Sequence, residues 1–393
     1  MSVQQIADLD VEGKRILLRL DLNTPLSEGQ VADDTRISAA LPTIQSLSER
    51  GARLIICSHL GRPRGQKVPS LSLEPVAARL ADLLDTEVWF SHQPVGDDVE
   101  YLSKELDNGA VLVVENLRFN PGETSNSAEF GRRLARLGDI YVNDAFGVMH
   151  RNHASVDSVV ESFQNAATGP LVHKELAALA ELNDDPKRPY VGILGGSKVS
   201  DKIGVIETLM GRVDALLIGG AMAYTFIKSQ ETDVGASLVQ EEKLLLAKRL
   251  LERCASKGVK VFLPTDHVAA TSLDSEPIVT KELTGDLKGF DIGPETVNLY
   301  SSVIARASTV FWNGPMGVTE VDAFSAGTQG IAQAVADADA YTVIGGGDSA
   351  AAVKKLGLGE SFTHISTGGG AALQLVEGRT LPGLEAIRRR AGQ

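Results

Sequence analysis

Short β-branched runs alternate along this chain with longer stretches whose apolar residues recur at helical spacing. That alternation predicts stacked βαβ units and parallel sheets. In the first half the runs are Arg15–Leu20, Arg53–Cys57, Val111–Val114 and Ile140–Val142. In the second they are Tyr190–Leu194, Ala215–Ile218, Val259–Leu263, Thr309–Trp312, Tyr341–Ile344 and Phe362–Ile365. A helix is predicted after Asp33-Asp34-Thr35-Arg36, with Leu41, Ile44 and Leu47 on one face and acids in a first turn that suits the dipole. A second helix, Lys174–Leu182, presents Leu176, Leu179 and Leu182. It ends at Leu182–Pro189, where two prolines and a charge cluster break the pattern and mark a domain boundary.

The residues just past each run differ between the halves. The first-half runs lead into Asp21-Leu22-Asn23, Ser58-His59-Leu60-Gly61-Arg62, Glu115-Asn116-Leu117-Arg118 and Asn143-Asp144, with His150 and Arg151 close behind. The second-half runs lead into glycine: Gly195-Gly196, Gly219-Gly220 and Gly345-Gly346-Gly347. Ligands of open α/β sheets bind beyond the carboxyl ends of the strands. One half therefore offers cations to a small polyanion, and the other offers close backbone to a nucleotide.

The bulk properties narrow the partners. At 393 residues, two domains are expected. A net charge of −13 argues against nucleic acid, so an anionic ligand needs a local positive pocket. Cys57 and Cys254 match no zinc or redox spacing and read as reduced thiols, Cys57 buried. Residues 1–10 lack a signal-peptide pattern, and no apolar run is long enough to span a bilayer. A soluble, cytoplasmic protein is expected.

Individual motifs leave alternatives open. The segment Gly195–Lys202 either cradles phosphate on backbone N–H groups or is a tight turn with two solvated lysines. Lys198 and Lys202, four apart, share a face if one helix includes both. Ser197 and Val199 exclude a Walker A motif. Asp348 is either a helix N-cap or a carboxylate for nucleotide-bound Mg²⁺. Glu320 either accepts from a ribose or is an acid in an early helical turn, and Thr367-Gly368-Gly369-Gly370 either meets ligand or permits close packing. Arg36, Arg62, Arg118 and Arg151, with His59, gather at one sheet edge, where guanidinium forks suit phosphate and carboxylate oxygens. Asp21 and Asn23 either meet a substrate hydroxyl or orient the arginines. Arg19 either joins this cationic set or is only an ion-pair partner, and His150 and His153 either meet the ligand or are loop histidines with no direct role.

Together these residues resemble phosphoglycerate kinases. The resemblance is carried by Arg19–Pro25, Asp34–Arg36, Ser58–Pro63, Glu115–Phe119, Val142–Gly147, His150-Arg151, Gly195–Lys202, Asp291–Pro294, Trp312–Gly317, Gly345–Asp348 and His364–Gly370, in order along nearly the whole chain. It implies an α/β protein of two doubly wound parallel-sheet, Rossmann-like domains joined by a helix and hinge. Residues 1–170 would bind phosphoglycerate, 171–186 would form the helix and hinge, and 187–379 would bind nucleotide, with 380–393 packing back on the first domain. The implied reaction is ATP + 3-phosphoglycerate ⇌ ADP + 1,3-bisphosphoglycerate, a glycolytic and gluconeogenic step needing Mg²⁺, in a monomer.

By position, the resemblance assigns Asp21, Asn23, Arg36, His59, Arg62, Arg118 and Arg151 to phosphoglycerate. Gly196, Lys202, Gly219, Gly220, Asn313, Glu320, Gly346, Gly347, Asp348 and Ser349 go to the nucleotide, with Asp348 as Mg²⁺ ligand. Arg36, Lys198 and Lys202 would act on the migrating phosphoryl group. Thr319 stands where an aromatic is expected and Asn152 where alanine is common. Two rival readings are a non-catalytic nucleotide sensor and a nicotinamide dehydrogenase. The first would be expected to have lost some of Arg36, Lys198, Lys202 or Asp348, and the second lacks its Gly-x-Gly-x-x-Gly signature.

Overall fold

The computed structural model describes residues 3–391. Met1 and Ser2 of the N-terminal segment, and Gly392 and Gln393 of the returning tail, lie outside the described residues. The chain divides into two compact units, Met1–Leu176 with Thr380–Gln393, and Ala177–Arg379. The division falls within the helix Pro170–Asn183, which begins one turn before the Lys174–Leu182 pattern.

The first unit is built on a six-stranded parallel sheet. Its spatial order is Val88–Ser91, Val111–Val114, Arg53–Cys57, Arg15–Arg19, Ile140–Asn143 and Ala166–Thr168. Both faces are covered, so the strands read as nearly unbroken apolar runs. Ile16, Leu18, Leu54, Ile56, Val111, Val113, Ile140 and Val142 share one core with Ile37, Ala40, Ile44 and Leu47 of the helix Thr35–Glu49. Burying each such Leu or Ile stabilises by about 1.5–3 kcal/mol. The connections leave Arg15–Arg19 and Ile140–Asn143 in opposite directions, which opens a crevice beyond their carboxyl ends.

Asp33 and Asp34 precede that helix rather than entering its first turn. Asp33 accepts from the Thr35 N–H at 2.8 Å, and Asp34 pairs with Arg79 at 2.7 Å. The C-terminal helix Pro382–Ala391 belongs to this unit. Its Gly383 N–H donates to the Met149 carbonyl at 3.0 Å, and Arg389 pairs with Asp157 at 2.8 Å.

In the second unit the parallel order is Lys260–Phe262, Ala215–Ile218, Tyr190–Leu194, Thr309–Asn313, Tyr341–Gly345 and His364–Ile365. These are the six runs expected from the sequence. The order reverses between Tyr190–Leu194 and Thr309–Asn313, so the turns after those strands stand at the ligand-binding position of a doubly wound sheet. A further antiparallel sheet, Ile278–Thr280, His267–Ala270 and Lys288–Ile292, adds to this unit. Cys57 and Cys254 are buried free thiols. Among the described residues no helix is long and apolar enough to cross a membrane.

Candidate functional site

The first unit's cations converge at the carboxyl ends of its strands. Arg36, second residue of its helix, donates from Nη1 to Asp21 Oδ1 at 3.0 Å and to the Asn23 carbonyl at 3.1 Å. The Asn23 side chain accepts from the Gly61 N–H at 2.8 Å, holding the His59–Arg62 loop beside it. Arg118 is buried and donates to the Gly61 carbonyl at 2.6 Å. Arg151 is half-buried and Arg62 exposed. Glu115 is absorbed structurally, accepting from Ser72 and from the Leu73 N–H.

These groups share one electrostatic environment. Burial pushes His59 well below the usual histidine range, and Arg19, Arg118, Arg151 and Arg36 push it further. Arg118 falls to about 10, through burial and then Arg151 and Arg19. Arg151 is also lowered, by burial first, with Asp21 acting against the shift. Among the described residues Arg62, Arg118 and Arg151 form no ion pair. The buried Nε atoms of Arg118 and Arg151, and Nδ1 of His150, have no hydrogen-bond partner. Leaving a buried donor unmade is costly, so a concentration of them beside uncompensated cations marks a place for an anion.

The ion-pair alternative for Arg19 is the one the structure sets aside. Arg19 is fully buried and makes no ion pair among the described residues. Instead its Nε donates to Ser155 Oγ at 3.0 Å, Nη1 donates to the Leu20 carbonyl, and Nη2 lies 3.2 Å from His59 Nδ1. Ser155 in turn donates to Glu123, a fully buried carboxylate that carried no sequence signal.

The second unit's glycines serve close packing first. A Cβ on Gly195 would lie 2.0 Å from the Pro315 carbonyl oxygen, and one on Gly220 would lie 2.6 Å from Gly196 N. The N–H groups of Gly196, Gly219 and Gly220 already donate to Pro315, Leu194 and Met316. The N–H groups of these three glycines therefore form internal bonds of interlocked turns. Lys198 and Lys202 do not share an α-helical face, because a 3₁₀ turn, Val199–Asp201, separates them and the helix starts at Ile203. Lys198 is exposed, whereas Lys202 is half-buried, lowered by burial, and donates to Asn313 Oδ1. Asn313 Nδ2 donates to the Gly345 carbonyl, so both its amide atoms are engaged internally. Ser349 Oγ likewise accepts from the Gly314 N–H at 2.8 Å.

What remains open is the start of the helix Gly347–Lys355. Its N-cap is Gly346 at φ 107°, so Asp348 is an exposed first-turn residue and not the cap. The helix's first N–H groups have no intrahelical acceptor. Asp348 borders a cleft of about 580 Å³ shared with Gly196, Gly220 and Glu320. Glu320 sits in a turn before the 3₁₀ segment Asp322–Phe324, outside any helix. Leu238, Phe290 and Val318 give the cleft an apolar wall. None of these three carried a sequence signal, since Phe290 comes from the antiparallel sheet and the other two from irregular loops.

Comparison with known proteins agrees along the whole chain. A family model described as phosphoglycerate kinase matches residues 6–379. A curated phosphoglycerate kinase of Clostridium botulinum (strain 657 / Type Ba4) is 47% identical over 390 residues, covering 98% of each chain. One from Roseiflexus sp. (strain RS-1) is 50% identical over 393 residues, covering 98% of this chain and 99% of the relative. The solved phosphoglycerate kinase of Coxiella burnetii superposes with a TM-score of 0.89 at 39% identity, over 99% of this chain and 100% of that one. That of Pyrococcus horikoshii OT3 gives 0.83 at 31% identity, over 99% of both chains.

Proposed function

Because this chain belongs to the phosphoglycerate kinase family, we propose that the first unit's arginine-lined strand ends hold 3-phosphoglycerate and the second unit's cleft holds Mg-nucleotide. The enzyme is a phosphotransferase acting between ATP and 3-phosphoglycerate. The observation that carries the assignment is the pair of buried, unpartnered Nε donors of Arg118 and Arg151, two arginines that form no ion pair among the described residues.

The substrate carboxylate is itself the nucleophile, so the protein's work is positioning and charge neutralisation. Arg36 reaches the carboxylate and the migrating phosphoryl group, with Lys198 and the helix start at Gly347 meeting it from the nucleotide side. Lys202, held by Asn313, lines the same path. Asp348 fits Mg²⁺, being an exposed carboxylate that makes no hydrogen bond or ion pair among the described residues, beside first-turn N–H groups. When bound, the ion neutralises charge on the nucleotide phosphates. Transfer requires the two ligands to be brought together, and closure around them would exclude water from the acyl phosphate. A monomer working in the cytoplasm belongs to the same proposal.

The test replaces Arg36 with Ala and follows acyl-phosphate formation in a coupled assay. An arginine acting on a transferring phosphoryl group contributes roughly 10³–10⁵ in turnover, so kcat should collapse beyond any rise in KM for phosphoglycerate. Undiminished kcat would remove Arg36 from the transfer step.

A further inference from the structure

Each bond in the buried chain Glu123–Ser155–Arg19–His59 has only one possible direction. Glu123 Oε2 accepts the Ser155 N–H at 2.9 Å and Oε1 accepts the Ser155 hydroxyl at 2.7 Å. A serine hydroxyl has one proton, so Ser155 Oγ can meet Arg19 Nε, 3.0 Å away, only as an acceptor. A guanidinium is a donor at every nitrogen, so His59 Nδ1, 3.2 Å from Arg19 Nη2, must be the accepting nitrogen of a neutral ring. The ring proton then resides on Nε2, for which no hydrogen-bond partner exists among the described residues.

We propose that Glu123, acting through Ser155 and Arg19, is a positioning residue that fixes His59 as the Nε2–H tautomer, making it a neutral hydrogen-bond donor to the anionic substrate. The last clause rests on the assignment of phosphoglycerate to these strand ends. Charge supports the arrangement. The charged groups facing His59 are Arg19 on its strand, Arg36 on its helix, and Arg118 and Arg151 on their loops, all cationic. A second proton on the ring is thereby opposed, and the fully buried Arg19 has an anion, Glu123, one hydroxyl away. Only a carboxylate can accept from both the Ser155 N–H and O–H. An amide at position 123 would turn a donor toward one of them and reverse the hydroxyl against Arg19. His153 Nδ1, 3.7 Å from Glu123 Oε1, makes no hydrogen bond and does not interrupt the chain.

Long-range ¹H–¹⁵N correlation of histidine-labelled, full-length protein reads the tautomer directly, with His59→Gln identifying the signal. The ligand-free wild type should show His59 neutral and protonated at Nε2. Ser155→Ala and Glu123→Gln should each give averaged shifts of the two tautomers, while Ser155→Thr, which keeps the hydroxyl, should preserve the wild-type spectrum. The KM for 3-phosphoglycerate should rise about 2- to 12-fold in the first two variants, the value of one ordinary hydrogen bond, with KM for Mg·ATP unchanged. A wild-type ring protonated at Nδ1 or on both nitrogens overturns the proposal without recourse to any variant. So does a single Nε2–H tautomer that persists in Glu123→Gln. A tautomer that responds as expected while KM for phosphoglycerate stays constant leaves the relay standing and removes the substrate from this edge.

Discussion

Arg36 Nη1 lies 3.0 Å from Asp21 Oδ1, and among the described residues nothing accepts from its Nε or Nη2. The guanidinium is thus aimed by one edge and left open along the other. Asp21 also opposes the lowering of the Arg151 pKa, so one carboxylate serves two arginines. The pair is partly exposed, and such pairs contribute about 0–1 kcal/mol to stability. Asp21→Asn should therefore leave the unfolding midpoint nearly unchanged while raising KM for 3-phosphoglycerate by about tenfold, the effect of one weakened charge-assisted contact. Steady-state kinetics beside a thermal melt separates the two effects. A large loss of stability with unchanged KM would make the pair structural.

Gly195 and Gly347 should respond oppositely to the same substitution. A Cβ at Gly195 meets the Pro315 oxygen at 2.0 Å, whereas one at Gly347 meets nothing within 4 Å. Overpacking costs about 1–3 kcal/mol, and each kcal/mol lowers the midpoint by roughly 2–4 °C in a domain this size. Gly195→Ala should melt early. Gly347→Ala should melt with the wild type yet raise KM for Mg·ATP, because only bound phosphate comes close there. An unchanged KM would place the nucleotide away from this helix start.

Acid stability is governed by the buried titrating groups. Burial lowers His59, His150, His153 and His267, with arginines adding to the first three, and His153 and His267 fall to about 4. Between about pH 6.5 and 4 the unfolded chain binds protons that the folded chain refuses, so stability falls as pH falls through that window. Asp291 acts in the other direction. Burial raises it to about 7 despite N–H donors from Gly327 and Ile292, so its contribution is lost as pH rises from about 4 toward 7. Asp291→Asn removes that opposition, and its melting temperature should fall more steeply than the wild type's between about pH 7 and 5. An equal or shallower slope would contradict the burial argument.

The central strands of both sheets were legible because they are buried on both faces and carry unbroken apolar runs, as in Leu54–Cys57 and Val310–Trp312. Val88–Ser91 is a half-exposed edge and Ala166–Thr168 a three-residue strand, and neither has enough contrast to register in sequence. The antiparallel sheet is hidden for the same reason, since Ile278 and Val279 are exposed. The ligand side was read through charge and glycine, which show what could bind but not which atoms are already engaged. Hence Gly196, Gly220, Asn313 and Ser349 emerge as groups tied into the protein's own bonds, while Asp348 beside them makes no hydrogen bond or ion pair among the described residues. Glu123 illustrates the limit. No sequence signal marks the glutamate after Pro121-Gly122, and only the fold buries it against Ser155.

The division of labour between the units is tested most directly by calorimetric titration of two variants with both ligands. Arg118→Ala should weaken 3-phosphoglycerate by about 10- to 150-fold, the range for one charge-assisted contact, and leave Mg·ADP binding at the wild-type value. Asp348→Ala should weaken Mg·ADP and leave 3-phosphoglycerate untouched. If Arg118→Ala instead impairs Mg·ADP, or Asp348→Ala impairs 3-phosphoglycerate, the assignment of one ligand to each unit is wrong.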